Sequence, residues 1–391
     1  MYKIRTYNAL SSKGLERFPV EKYQISGQCE KPQAYMLRSH ELHAEAVPDS
    51  LIAVARAGAG VNNIPVADYT RRGIVVFNTP GANANAVKEL VVAGLLLGSR
   101  DIYDGMNYVQ GLKHLDDAEA MNKLLEKEKK HFAGNEIIDK TLGIVGLGTI
   151  GSMIGNLALD LGMNVIGYDP AISVEAAWRL SRQVQRMNSL EGLLAQADYI
   201  TLHVPANTSN KHLIDAKTLR NAKPTVKVLN FARSQIVSAE AIVEALDQGI
   251  IAGYISDFPA PILLGRRDVL LMPHIGASTV EAEENCAVMA ANQLIDFLEH
   301  GNIHNSVNYP STKMSCNGGT RITFSNRNIP NVLGSVLPIL AANRFNIIDM
   351  VNKSRNKIAY NIIDLEGDLD CRLNISQQIG VVEGVLGVRI L

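Results

Sequence analysis

The chain has 391 residues, 47% hydrophobic and 20% charged, with a formal net charge of −1. That length fits two or three domains, and the near-neutral balance argues against nucleic acid or an anionic membrane as the main partner. The start Met1-Tyr2-Lys3-Ile4-Arg5 lacks the apolar core of a signal peptide, the longest apolar run (near Val91 to Leu97) is too short for a bilayer, and Cys29, Cys286, Cys316 and Cys371 show neither metal spacing nor a disulfide framework, so a cytoplasmic protein without a metal site is expected.

The first 80 residues alternate strand-like and helix-like runs. Ala34–Leu37, Leu51–Ala57 and Ile74–Phe77 are short and largely apolar, which predicts a small parallel α/β unit. A long helical segment is expected from about Asn85 toward Val109. Residues 113–135 are charged and read as a solvated helix face or connector. Six strand candidates follow: Leu142–Val145, Val165–Tyr168, Tyr199–His203, Val226–Phe231, Tyr254–Ile255 and Val269–Met272. That count suits a doubly wound sheet of two mononucleotide halves. A long helix is expected over Thr279–Glu299, then a linker through the polar stretch from Pro310 to Gly319. The tail reads as strand Arg321–Phe324, helix Asn331–Asn343, strands Ile347–Lys353 and Ile358–Asp364, helix Cys371–Ile379 and strand Gly387–Leu391. The order βαββαβ predicts an antiparallel sheet with helices on one face.

Gly146-Leu147-Gly148-Thr149-Ile150-Gly151 lies between the first of the six strands and a helix-like run, Ser152–Leu161. The next strand ends at Asp169, 23 positions after Gly146, near the roughly 20 expected of a dinucleotide fingerprint. Gly146 suits the tight turn, Gly148 a close approach of backbone to pyrophosphate, and Gly151 close packing of helix on strand. The helix start offers unpaired N–H groups and partial positive charge to the phosphates. A carboxylate at Asp169 accepts from a ribose 2′-hydroxyl and repels a 2′-phosphate, so NAD is favoured over NADP.

Ligands of open parallel sheets bind beyond the carboxyl ends of the strands. Arg233, Asp257 and His274 fall at or just after such ends. An arginine grips a carboxylate through two N–H groups, and a histidine exchanges a proton near neutral pH. Moving a hydride from a hydroxy acid to NAD requires both a base for the hydroxyl proton and a cation for the acid.

These residues resemble the D-2-hydroxyacid dehydrogenase family, and within it the phosphoglycerate dehydrogenases that carry a C-terminal ACT domain. The segments carrying the resemblance are Arg56-Ala57-Gly58-Ala59-Gly60-Val61-Asn62-Asn63, Asn78-Thr79-Pro80-Gly81, Gly146 to Gly151 with Tyr168-Asp169-Pro170, Asn230 to Arg233, and Pro273-His274-Ile275-Gly276-Ala277-Ser278-Thr279. They are spread over almost the whole length. The resemblance implies an α/β fold: a Rossmann cofactor domain (100–287) inserted in a flavodoxin-like substrate domain (1–99 and 288–310), with a ferredoxin-like ACT domain at 320–391.

It also implies roles. Arg233 would bind the substrate's carboxylate and carbonyl, and His274 would be the general base in oxidation. Thr149 and Ile150 would touch the pyrophosphate and Asp169 the adenosine ribose. Thr79, Val204, Phe231, Ala232, Asp257 and Ala277 would line the nicotinamide side, with His203, Pro205, Arg233 and His274 among the cofactor contacts. The loop Arg56, Ala57, Gly58, Ala59 and Gly60 would meet the substrate, and Arg38, Arg56 and Lys130 would supply cations for a substrate phosphate. One departure matters. The family usually carries a Glu paired to the catalytic His just after the strand holding Asp257. Here the text is Asp257-Phe258-Pro259-Ala260-Pro261-Ile262, and Asp268 is the only other carboxylate before His274. Either Asp257 or Asp268 could replace that Glu.

The ACT resemblance implies a serine effector held by Asn326, Asn328 and Asn346, and a homodimer or homotetramer. The expected activity is NAD-dependent oxidation of D-3-phosphoglycerate. The alternatives are another D-2-hydroxy acid as substrate, or a non-enzymatic NADH sensor like the family's corepressor relatives.

Overall fold

The computed structural model describes residues 1–316, 318–367 and 372–391, so Cys371, the predicted start of the last helix, lies outside the described residues. The chain divides into two compact units, Met1–Asn83 with Thr279–Leu391, and Ala84–Ser278. No helix among the described residues is long and apolar enough to cross a membrane.

The first unit opens with a five-stranded parallel sheet: β1 (Tyr2–Thr6), β2 (Tyr23–Ser26), β3 (Ala34–Leu37), β4 (Ala53–Arg56) and β5 (Val75–Phe77). Its order, β2-β1-β3-β4-β5, is the flavodoxin-like one. The predicted strands are β3 to β5, whose runs are buried on both faces. The sequence reading missed β1 and β2, where only Ile4 and Tyr23 are buried. A strand with one buried side chain presents no apolar run.

The second unit holds a seven-stranded, wholly parallel sheet: β6 (Thr141–Val145), β7 (Asn164–Tyr168), β8 (Gln185–Arg186), β9 (Tyr199–Leu202), β10 (Lys227–Asn230), β11 (Gly253–Ser256) and β12 (Val269–Leu271). The order β12-β11-β10-β9-β6-β7-β8 is the doubly wound Rossmann order extended by one strand, and it reverses between β6 and β9. The unpredicted β8 is two exposed residues. Helix Ala84–Ser99 packs on this sheet. A Cβ on Gly94 would lie 2.7 Å from the Phe231 ring, and one on Gly98 2.9 Å from Ile255. The helix therefore belongs to the second compact unit, which begins at Ala84. The expected single helix toward Val109 is two, because the Ser99 carbonyl accepts from the Asn135 amide (2.9 Å) and a new helix starts at Ile102.

Helix Val280–His300 returns to the first compact unit, which resumes at Thr279. Its small residues allow close packing: a Cβ on Gly14 would lie 2.5 Å from that of Ala287. The chain ends in an antiparallel sheet of β13 (Thr320–Arg327), β14 (Ile347–Arg355), β15 (Ile358–Leu365) and β16 (Val385–Ile390), ordered β14-β15-β13-β16. With helices Val332–Ala342 and Arg372–Gly380 this is the expected βαββαβ. Ile322, Phe324 and Ile363 pack on the helices through Val336, Leu340, Ile375 and Ile379. From the opposite face Ile358, Tyr360 and Ile362 join Phe297 and Leu298 in the core of the first unit. The tail thus shares a core with what precedes it.

The join is polar as well. The last carbonyls of a helix have no partners within it. Arg389 donates to the Phe297 and Leu298 carbonyls (2.9 and 2.6 Å), Arg321 to that of His300 (2.9 Å) and the Tyr360 hydroxyl to that of Gly301 (2.8 Å). Arg321 is itself buried and donates twice to Asp364, at 2.7 and 2.8 Å. Removing one charge of such a pair leaves the other without compensation. Asp364→Asn should therefore destabilise the first unit by about 3–5 kcal/mol, read as a lowered urea midpoint. A loss under about 1 kcal/mol would show that the remaining carbonyl acceptors of Arg321 suffice.

Candidate active site

The glycine turn follows β6, at the point where strand order reverses. Gly146 has φ 92°, and a Cβ there would sit 2.6 Å from the His203 carbonyl oxygen. A Cβ on Gly151 would sit 2.0 Å from the Gly146 carbonyl oxygen. Both glycines are demanded by the protein's own packing. Gly148 is not: among the described residues nothing beyond its own stretch of chain lies within 4 Å of the Cβ it lacks. It caps helix Thr149–Asp160 with no side-chain hydrogen bond to the first turn, so Thr149 and Ile150 start a helix whose N–H groups are open to an anion. Asp169 is half-buried; its oxygens accept from the Leu147 and Ala171 amides, both at 2.9 Å. The first bond ties the acid to the glycine turn itself. These residues fit a dinucleotide: an open cradle at Gly148, a bare helix terminus and an acid fixed beside them.

His203 and Val204 wall the turn from β9; the Val204 Cγ1 is 2.8 Å from the Cβ position of Gly146. The His203 ring is paired through Nε2 with the Thr201 hydroxyl (2.8 Å), and Nδ1 is buried without a partner. Desolvation lowers its pKa to about 3, which keeps the ring neutral and out of proton transfer near neutral pH. Pro205 is exposed, and its carbonyl accepts from Asn210 (3.0 Å). Phe231 and Ala232 are core residues, the former against the Gly94 helix. Their side chains are occupied in packing.

Arg233 follows β10 in extended conformation. Asn230 shapes that turn, donating to the Arg233 carbonyl (3.0 Å) and accepting from the Ala232 amide (3.2 Å). The guanidinium donates to the Ala232 carbonyl (2.6 Å) and has no ion pair among the described residues. Burial lowers its pKa from the ordinary guanidinium value. A partly desolvated cation without an anion is costly, and a carboxylate ligand offsets that cost.

Asp257, 2% exposed, follows β11 and accepts from the Ile275 and Gly276 amides (2.8 and 2.7 Å). It clasps the loop that carries His274. Asp268 is held by Arg266 through two bonds (2.9 and 2.8 Å). Neither acid hydrogen bonds to the His274 ring, which is exposed and lies against Phe258. The expectation that one of them replaces the missing Glu as the ring's direct partner is therefore not met. Ala277 is half-buried in the same loop, closed by a bond from the Ser278 amide to the Ile275 carbonyl (2.9 Å).

Residues 106–276 match the model of the D-isomer specific 2-hydroxyacid dehydrogenase NAD binding domain. The D-3-phosphoglycerate dehydrogenase of Escherichia coli K12 is 33% identical over 356 residues, 88% of this chain and 82% of that protein. The chain belongs to the D-isomer specific 2-hydroxyacid dehydrogenase family. A D-3-phosphoglycerate dehydrogenase of Synechocystis is 38% identical over 286 residues, 71% of this chain. The chain spans about half (49%) the length of that relative. The crystal structure of the NAD⁺-bound 3-phosphoglycerate dehydrogenase of Entamoeba histolytica has a TM-score of 0.62 at 24% identity, covering 78% of this chain and 98% of that one. The matched region is the family's NAD-binding domain, so this dehydrogenase uses NAD.

The first unit of the dehydrogenase carries the other predicted residues except Lys130. Arg56 ends β4, donates to the Arg38 carbonyl (2.9 Å) and lies against Gly58, where a Cβ would meet its Nη1 at 2.5 Å. Ala57 is buried; Gly58, Ala59 and Gly60 are half-exposed. Thr79 is buried, its amide bonded to the Gly58 carbonyl (3.1 Å). Arg38 is ion-paired with Glu283 on the first turn of helix Val280–His300, a partner 245 positions away (283 − 38) that no local pattern reveals. Lys130, in the second unit, is exposed in a 3-10 turn. In the C-terminal sheet Asn326 is buried, donates to the Arg327 carbonyl (2.7 Å) and accepts from Asn361 (2.8 Å). Asn328 donates to the Asn356 carbonyl (3.1 Å) and Asn346 to Glu366 (2.9 Å), both exposed.

Gly148→Ala should cost less than about 1 kcal/mol of stability yet weaken NAD about tenfold or more, equivalent to about 1.4 kcal/mol; titration calorimetry and thermal melting separate the two. Unchanged affinity would remove Gly148 from the cofactor cradle. Between pH 6.5 and about 3 the unfolded chain protonates His203 while the folded one resists. Stability is therefore lost as pH falls from 6.5, and rises with pH across that window. His203→Phe should flatten this part of the urea-midpoint profile; an unaltered slope would locate the acid sensitivity elsewhere.

Proposed function

We propose that this dehydrogenase oxidises D-3-phosphoglycerate to 3-phosphohydroxypyruvate, the entry to serine synthesis. The observation that carries the reading is Arg233, a partly desolvated guanidinium with no counter-ion among the described residues, at the end of a Rossmann strand. The named phosphoglycerate dehydrogenases at 33% and 38% identity support the substrate.

Bound NAD supplies the hydride acceptor. Arg233 holds the substrate carboxylate by two N–H groups and draws electron density from the oxygen becoming a carbonyl. His274 takes the hydroxyl proton during oxidation and returns it during reduction. The hydride leaves from the carbon bearing that hydroxyl, so the acid loses two electrons and two hydrogens. Gly148, Thr149 and Ile150 hold the pyrophosphate and Asp169 the ribose. We assign the backbone of Gly58 to Gly60 to the substrate carboxylate, and Arg38, Arg56 and Lys130 to its phosphate.

Another D-2-hydroxy acid is the second reading, and one observation favours it: Arg38 is already neutralised by Glu283. NADH formation with D-3-phosphoglycerate, compared with D-lactate and D-glycerate, decides between them. A higher kcat/KM for an unphosphorylated acid would reject the first. An NADH sensor without turnover is the third, and turnover that disappears in His274→Ala excludes it. We further assign the C-terminal sheet as an ACT module that binds serine. Asn328 and Asn346 are exposed enough to serve it, whereas the amide of Asn326 is already committed within the sheet. The edge strand β14 exposes Ile347, Ile348 and Met350, which suits pairing with a second copy in a homodimer or homotetramer. The free thiols Cys29, Cys286 and Cys316 suit a reducing cytoplasm.

Arg233→Ala should lower kcat/KM about a hundredfold or more, about 2.7 kcal/mol of transition-state stabilisation. A change under about tenfold contradicts its role. Asp169→Ala should relax the preference for NAD over NADP, and an unchanged ratio of the two kcat/KM values would count against it.

A further inference from the structure

A histidine that moves a proton needs its ring held in one orientation, and a hydrogen-bonded acceptor on the second nitrogen commonly does this. Among the described residues no such acceptor bonds to His274. Its backbone has φ 58°, a left-handed conformation uncommon outside glycine. Something must therefore hold both backbone and ring.

Two consecutive residues divide the task. Asp257 holds the backbone, through the amides of Ile275 and Gly276. Gly276 lets this bond close, since a Cβ there would lie 3.0 Å from Asp257 Oδ2. Phe258 meets the ring, with centroids 4.8 Å apart and planes at 51°, within the range of a favourable aromatic pair. Phe258 is itself anchored: its amide donates to Ser256 Oγ (3.0 Å), and Ser256 is fully buried. The aromatic surface thus comes from a fixed point of β11.

We propose that Phe258 is a positioning residue for His274, orienting the imidazole by ring packing where no hydrogen-bond acceptor does so. The inference rests on His274 being the proton carrier. The contact is neutral and short-ranged, so it acts on ring orientation and hence on the chemical step, with little effect on substrate binding.

The test uses Phe258→Leu and Phe258→Tyr in the full chain, with NAD affinity as a control for folding. Phe258→Leu should lower kcat about tenfold with KM within about twofold, the mark of an interaction spent on the chemical step. Phe258→Tyr should recover most of that loss. In proton NMR the His274 ring resonances, assigned by their disappearance in His274→Gln, should move downfield in Phe258→Leu as the ring current is lost. Unchanged kcat in Phe258→Leu, or a fall in kcat without any shift of these resonances, would overturn the proposal. Should His274→Gln keep full turnover, the reading of His274 as base fails instead, and the resonance shift still reports whether the rings are in contact.

Discussion

The contact between Gly151 and the Gly146 carbonyl governs the cofactor half of the molecule. With only hydrogen on Gly151, helix Thr149–Asp160 begins within van der Waals reach of the strand end that precedes it. Any Cβ would occupy space 2.0 Å from an oxygen. The helix would have to retreat, and its unpaired N–H groups would no longer sit at the switch between β6 and β9. The dipole and N–H groups that attract phosphate are generic to helices. Their placement depends on this one approach, secured by Asp169 through the Leu147 amide.

Charge near the strand ends of that sheet is treated in opposite ways. Asp257 is buried and fully met by two backbone amides, so it is a finished structural element. Arg233 is partly desolvated and met by one carbonyl. Burial of a charge is tolerated where hydrogen bonds replace water; only Asp257 has them in full. The unfinished one is where a ligand anion has most to gain. His203 is a third case, a histidine that burial keeps neutral. Three polar residues at strand ends look alike in sequence, yet they become a clasp, a partly desolvated cation and an inert wall.

Period and spacing made the central architecture legible. The glycine turn, the following acid and six of the seven strands of the second unit stand out because buried parallel strands read as continuous apolar runs. β1, β2 and β8 did not, since edge or one-sided strands bury too few residues to print a pattern. The chain passes between the two compact units at helices Ala84–Ser99 and Val280–His300, which carry small residues whose packing partners are distant in sequence. At the site, residue types pointed to Arg233 and His274, but partnerships did not follow from them. Glu283 beside Arg38 and the carbonyl-bound Asn328 are products of tertiary register. Phe258 lies in the segment that lacks the family's Glu, and nothing in the sequence signals what it touches.

The C-terminal sheet poses a last question of physical economy. A detachable regulatory module would meet its neighbour across a weak, wet surface. Here Ile358, Tyr360 and Ile362 enter the core of the first unit. Arg389, Arg321 and Tyr360 supply the hydrogen bonds that the end of helix Val280–His300 lacks. Guanidinium groups at a helix C-terminus also oppose its partial negative charge. Loosening the sheet would therefore strand several carbonyls and a buried Arg321–Asp364 pair at once, a loss far above that of a surface contact. The sheet and this helix consequently behave as one body. Strain in β13 or β16 would therefore be borne by the end of helix Val280–His300 as well as by the sheet.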